Sequence, residues 1–413
     1  MRRTGDGILE RPQPVGIFPL PAGYLLLPPA GDPLATAALL EGRAPEHWPA
    51  EWQFYAAALA GDSELSLRLL TATDGPLAAY NRFVLSHTAD RYAEACEFGP
   101  LRTLVDVIAY THGTIDELRP AEDLDGELLA HALAAHAAHA LAIDDAAAAR
   151  HHLDRAIAAA REPSPLFAAQ LLAQLAAVSR NDPERSSEAA ALYVEAIRLA
   201  ADTPLVALRA DLWVALGATY QEQADGRRGL LMEAVKAYQR AIQCGLSVDS
   251  YPELYAEAQN NLGLAYLSIP TTSASDQLRT AVAIQSFREA LLVYTREAAP
   301  DRWASVTLNL ANALQYMPSG DPAQKLMQAV ELYDEVRAVR TRAADPLGYA
   351  RVLANQANAL AHLGLFGPAL EKLNEAHKLF HWYDRPDAAA SVLELVDQIS
   401  GCRERAAAEL AKG

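Results

Sequence analysis

Residues 234–241 read Ala234-Val-Lys-Ala-Tyr238-Gln-Arg-Ala241: a small residue, a large apolar one four positions on, and a small one three further. The same outline stands at Ala149–Leu153–Ala156, Ala189–Tyr193–Ala196, Ala283–Phe287–Ala290, Ala329–Tyr333–Val336 and Ala369–Leu373–Ala376. Successive central residues lie 40, 45, 49, 46 and 40 positions apart. The i, i+4, i+7 spacing puts all three residues on one helix face, and the alanines let a neighbouring helix approach closely. Six occurrences at near-regular spacing mark a tandem repeat.

A second pattern precedes several of these helices. It reads Leu216-Gly217 with Tyr220, Leu262-Gly263 with Tyr266, Leu310-Ala311 with Leu314, and Gln356-Ala357 with Leu360. Turn signals separate the two patterns at Asp225-Gly226, Pro270 to Ser275, Pro318 to Pro322 and Gly364 to Pro368. Breaks before each pair fall at Pro163 and Pro165, Pro204, Pro252, Pro300 and Pro346. The unit is therefore helix A, loop, helix B, loop. A single such hairpin cannot bury its apolar face, so the stack is the stable object.

Outside this array the reading is coarser. Eight prolines between Pro12 and Pro45 forbid a long helix in residues 1–46, although Ile17-Phe18 and Tyr24-Leu25-Leu26-Leu27 are apolar and partly extended in character. This Pro-rich arm reads as a linker packed on the first helices, as a docking segment for a partner, or as a tail covering the chain's own groove. Residues 47–127 form divergent helical hairpins: two short helices around Gly61-Asp62, then two or three more, interrupted at Gly99-Pro100 and ended by Gly113 and Pro120. The repeats occupy residues 128–386, and a capping helix fills 387–413.

The chain has 413 residues, 51% hydrophobic and 21% charged, enough for a large buried core. Its formal charge of −17 and pI near 5.1 argue against nucleic acid or an anionic membrane as the main partner. Cys96, Cys244 and Cys402 are far apart and form no CxxC, so neither a disulfide framework nor a cysteine zinc site is expected. Thr4-Gly5-Asp6-Gly7 follows Arg2-Arg3 where a signal peptide needs an apolar run, which points to a cytoplasmic protein.

The helix-B outline and the Leu-Gly-x-x-Tyr pattern of helix A together resemble the tetratricopeptide repeat (TPR) family. Long loops, with Thr295 to Ala304 and Asn260-Asn-Leu-Gly-Leu-Ala-Tyr266, are similar to the repeats of kinesin light chains and of bacterial arrays that carry a CHAT protease domain. The repeats run almost to residue 413, so no protease activity is carried over. The resemblance implies an all-α, right-handed, TPR-like solenoid of tandem helix-turn-helix units with a Pro-rich N-terminal arm.

Asparagines recur in register with this repeat. The sixth residue after Tyr255, Trp303 and Tyr349 is Asn261, Asn309 and Asn355, and the ninth is Leu264, Asn312 and Asn358. In TPR proteins similar to this one, helix A lines the concave face, and asparagines at matching positions bind the backbone of an extended peptide. A carboxamide suits that task, because it offers an acceptor and two donors and can pair with a peptide N–H and C=O together. The alternative is that these asparagines cap or bridge neighbouring helices; mid-helix asparagine is otherwise a poor choice. Arg351, Gln315, Tyr316 and His362 fall on or near the same surface by helical spacing, and Arg351 can hold a carboxylate.

Five of eleven histidines lie within residues 131–152. His139 and His152 are expected to approach each other across a hairpin, with His136 nearby, which makes these three the candidates for metal. The spacing matches no known metal motif, and surface histidines on an Ala-rich helix are the better account of it. No GxGxxG, GxxxxGK[ST] or GxSxG is present, so neither an enzyme nor a cofactor is expected. The function implied is non-enzymatic: a scaffold, adaptor, assembly factor or regulator holding a peptide or protein partner, with a basic surface favoured by the acidic charge. The alternatives are an accessory metalloprotein using the histidine hairpin, or a structural subunit that forms homo-oligomers.

Overall fold

The computed structural model describes residues 13–121, 124–270, 276–317 and 321–410. The turns expected at 271–275 and 318–320 lie outside them, as do the first twelve residues of the arm and the last three of the cap. The described residues hold nineteen α-helices, four short 3-10 turns and no strand.

Two compact units divide at Thr219 and Tyr220. Unit one begins with α1 (Pro33–Leu40), α2 (Gln53–Leu59), α3 (Ser63–Leu70), α4 (Pro76–Ser86), α5 (Ala89–Cys96) and α6 (Arg102–Thr111). Longer helices follow: α7 (Gly126–Ala142), α8 (Ala146–Ala160), α9 (Pro165–Arg180) and α10 (Ala189–Ala200). The division falls inside α11 (Val206–Gln223). Unit two holds α12 (Arg228–Gln243), α13 (Pro252–Ser268), α14 (Asp276–Leu291), α15 (Pro300–Gln315), α16 (Pro322–Val339), α17 (Pro346–His362), α18 (Phe366–Trp382) and α19 (Pro386–Leu410).

Local chemistry sets these boundaries. Proline occupies the first turn of α9, α13, α15, α16 and α17, where its missing N–H costs no helical bond. Asp62, Asp145, Asp321 and Asp345 cap helices by accepting from a backbone N–H three residues on. The turn between α7 and α8 places Asp144 at φ 61°, a conformation that Asp tolerates better than most residues.

Packing follows the repeat. The six small–large–small triplets lie on α8, α10, α12, α14, α16 and α18, and every one of their residues is buried to within 3% exposure. The A helices α7, α9, α13, α15 and α17 carry their own buried pair: Ala, Ala or Gly at the fourth and eleventh residue after the helix start. These are Ala130 and Ala137, Ala169 and Ala176, Ala256 and Gly263, Ala304 and Ala311, and Ala350 and Ala357. At Gly263 even one methyl is too many, since a Cβ would sit 2.7 Å from the Phe287 ring. From α2 to α10 and from α12 to α19 each helix packs on the next, and α13, α15, α17 and α19 also touch each other in turn.

Candidate functional site

Unit two presents the asparagine register on consecutive A helices. Asn261, Asn309, Asn312, Asn355 and Asn358 are all half-buried, while Arg351, His362 and Tyr316 are exposed, Tyr316 to 65%. The carboxamides are joined from helix to helix. Asn309 Nδ2 on α15 donates to Asn260 Oδ1 on α13 at 3.1 Å, and Asn260 Nδ2 donates to Asn261 Oδ1 at 3.2 Å. Asn355 Nδ2 on α17 donates to Asn312 Oδ1 on α15 at 3.1 Å. Asn358 Nδ2 donates to the Tyr316 hydroxyl at 3.1 Å.

One further residue supports this row. The Tyr333 hydroxyl, from α16, donates to Asn312 Oδ1 at 2.8 Å and lies 3.1 Å from Gln315 Oε1. Burial, with a smaller effect from Tyr316, pushes the Tyr333 hydroxyl above its ordinary pKa, so it stays protonated as a donor. Tyr333 was legible as the large residue of its triplet, but its second role at the ring's polar end was not. Asn260 was missed as well: it is the residue that receives Asn309.

Carboxamide chemistry of the kind expected here is realised elsewhere in the chain. In unit one, Asn81 on α4 is fully buried and grips the backbone of Leu26 at both groups. Leu26 N–H donates to Asn81 Oδ1 at 2.8 Å, and Asn81 Nδ2 donates to Leu26 C=O at 2.7 Å. The Tyr80 hydroxyl donates to Tyr24 C=O at 3.0 Å, and Trp52 Nε1 donates to Pro28 C=O at 2.8 Å. Alternate carbonyls of an extended segment are thus read by three side chains, while Leu25, Leu26 and Leu27 are buried in the core. This places residues 24–28 of the arm on α4 and the start of α2.

The histidine hairpin differs from expectation. His139 does not meet His152: its Nδ1 lies 2.6 Å from the Tyr110 hydroxyl of α6. His136 is the one that stacks on His152, with ring centroids 5.3 Å apart, and its Nε2 lies 3.0 Å from Arg119 C=O. The miss is one helical turn, because residue 139 faces α6 whereas 136 faces α8. Burial and the nearby His136, His151 and Arg155 hold the His152 imidazole below its ordinary pKa. Among the described residues no three His, Cys, Asp or Glu side chains are grouped to hold a metal ion, and no helix is long and apolar enough to cross a membrane.

No protein-family model matches the sequence, and no curated protein matches it. Solved structures do. RapI in its apo form is 11% identical with a TM-score of 0.52, over 86% of this chain and 97% of that one. BtubC from P. vanneervenii is 18% identical with a TM-score of 0.44, over 61% and 92%. A kinesin light chain with TPR-like repeats from Podosopora anserina is 19% identical with a TM-score of 0.41, over 54% and 98%. At 11% identity the likeness to RapI speaks for the fold alone, and it agrees with the hairpin order and the buried triplets. The fold of this chain is that of the tetratricopeptide repeat proteins.

Proposed function

We propose that the chain is a non-enzymatic scaffold whose α13–α15–α17 face holds an extended segment of a protein partner, as an adaptor, assembly factor or regulator. What supports this is that carboxamides stand half-buried in one register on three consecutive A helices, where they bridge helix to helix, the alternative role expected of them, in two sets of exchangeable bonds. Each amide–amide bond can be exchanged for an amide–peptide bond of the same kind, so opening the row costs little net free energy. Neighbouring helices about 8–10 Å apart match the rise of three extended residues, so one segment can meet successive helices. Backbone pairing fixes the segment's course, while its side chains supply affinity. The formal charge of −17 favours and speeds encounter with a basic partner.

The test is a pull-down from native extract with the full chain, comparing wild type with the Asn309→Ala/Asn355→Ala double variant, followed by calorimetric titration of the captured protein. Retention by wild type with at least tenfold weaker binding by the variant is the expected result. Equal affinity for both would move the binding surface away from this face.

A further inference from the structure

Unit one holds a cleft of about 900 Å³ against its own A helices. Tyr24 of the N-terminal segment, Val107 of α6, Leu153 of α8 and Phe167 of α9 contribute its apolar walls. The volume is that of a pocket for a drug-sized molecule.

The repeat register shows what kind of molecule suits it. In α13, α15 and α17 the ninth and twelfth residues after the helix start are Asn261 and Leu264, Asn309 and Asn312, and Asn355 and Asn358. The equivalent residues of α7 are Ala135 and Ala138, and those of α9 are Gln174 and Ala177; all four line the cleft. Three of these four cannot pair with a peptide backbone. The absence of those longer side chains is also what leaves room for a ligand.

The N-terminal segment closes one end of this face. The fifth residues after the helix starts are His131 and Gln170. The Tyr24 ring lies 4.9 Å from the His131 ring, and a Cβ at Gly16 would lie 3.7 Å from both Gln170 Oε1 and the Phe167 ring. An extended chain finds the regular ladder of backbone partners broken here, with alanine at three of the four register positions, whereas a compact ligand can rest against Tyr24, Leu153 and Phe167.

Charge narrows the class further. Asp182 is the one formally charged residue among those lining the cleft, and Arg150 pairs with it. A charged ligand would be desolvated without a counter-charge. The Gln170, Gln174 and Asn181 carboxamides offer both donors and acceptors to a neutral one. The Thr111 hydroxyl already donates to Val107 C=O at 2.8 Å. We infer that unit one binds a compact, uncharged, largely apolar small molecule in this cleft, independently of the asparagine face.

The probe is Nile red, an uncharged dye whose emission shifts to the blue in apolar surroundings, titrated into the full chain. Saturable one-site binding is expected. Ala138→Leu and Ala177→Leu, which fill the cleft from two different helices, should each weaken binding at least tenfold while the circular-dichroism melt stays unchanged. Should one leucine disturb folding, the other gives the same reading. The Asn309→Ala/Asn355→Ala variant should bind the dye as wild type does, which separates this site from the peptide face. Non-saturating binding, or equal affinity in a folded leucine variant, overturns the inference. Displacement of the dye by an uncharged apolar hexapeptide as readily as by a compact competitor overturns the ligand class.

Discussion

Asn81 in unit one and Asn309 with Asn355 in unit two are the same side chain in two settings. Asn81 is sealed from solvent and uses its oxygen and its nitrogen on one residue, at 2.8 and 2.7 Å. Asn309 and Asn355 are half-buried, and each donates to another carboxamide at 3.1 Å. The comparison teaches that the amide's partner is decided by whether an extended backbone lies within reach. Where one is present the carboxamide takes both of its polar groups; in unit two the amides pair with one another. The first arrangement is part of the folded core, and the second is the one we propose to be exchangeable.

The most direct way to break this contrast is Asn81→Ala. It strands a buried N–H and a buried C=O, each costing about 1–3 kcal/mol, so a loss of roughly 3 kcal/mol is expected in urea unfolding. A loss under about 1 kcal/mol would show that water or a shifted segment replaces the amide, and the contrast with unit two would fail. A smaller effect is expected for Asn309→Ala or Asn355→Ala alone. Each removes one half-buried hydrogen bond, worth about 0.5–1.5 kcal/mol, and the same unfolding measurement checks it. A cost matching that of Asn81→Ala would make the row structural and weaken the case for exchange.

The smallest effect concerns pH and unit one. Because the folded His152 pKa lies below its ordinary value, the unfolded chain takes up that proton first as pH falls. Stability from this group is therefore present at neutral pH and declines as pH drops through about 6.5 toward the folded value. His152→Gln should flatten the fall in melting temperature between about pH 7.5 and 5.5. An unchanged slope would assign that pH dependence to other histidines.

The B-helix triplets were readable because packing one helix face needs only local periodicity, and all six are buried. The A-helix pairs of small residues obey the same logic, but they need the helix start as a reference and so emerge once Pro252, Pro300 and Pro346 are seen to open helices. The asparagine register was legible, yet the partner of Asn309 was not. Asn260 rather than Asn261 lies opposite, which depends on how two helices cross. The histidine pairing failed by one turn for the same reason. What holds the N-terminal segment was least accessible: Leu26 and Asn81 are 55 residues apart, and nothing local couples them. Burial of Leu25 to Leu27 also means that deleting residues 1–46 removes core rather than a removable cover.

That separation has a consequence for how the chain is made. Leu25, Leu26 and Leu27 leave the ribosome 55 residues before the asparagine that receives Leu26. At about 5–20 residues per second the interval is about 3–11 seconds. Throughout it, three consecutive leucines wait without their pocket, a window in which a chaperone can hold them or another nascent copy can stick to them. The proline run around them helps here, since it keeps the waiting segment from extending into a longer aggregation-prone strand.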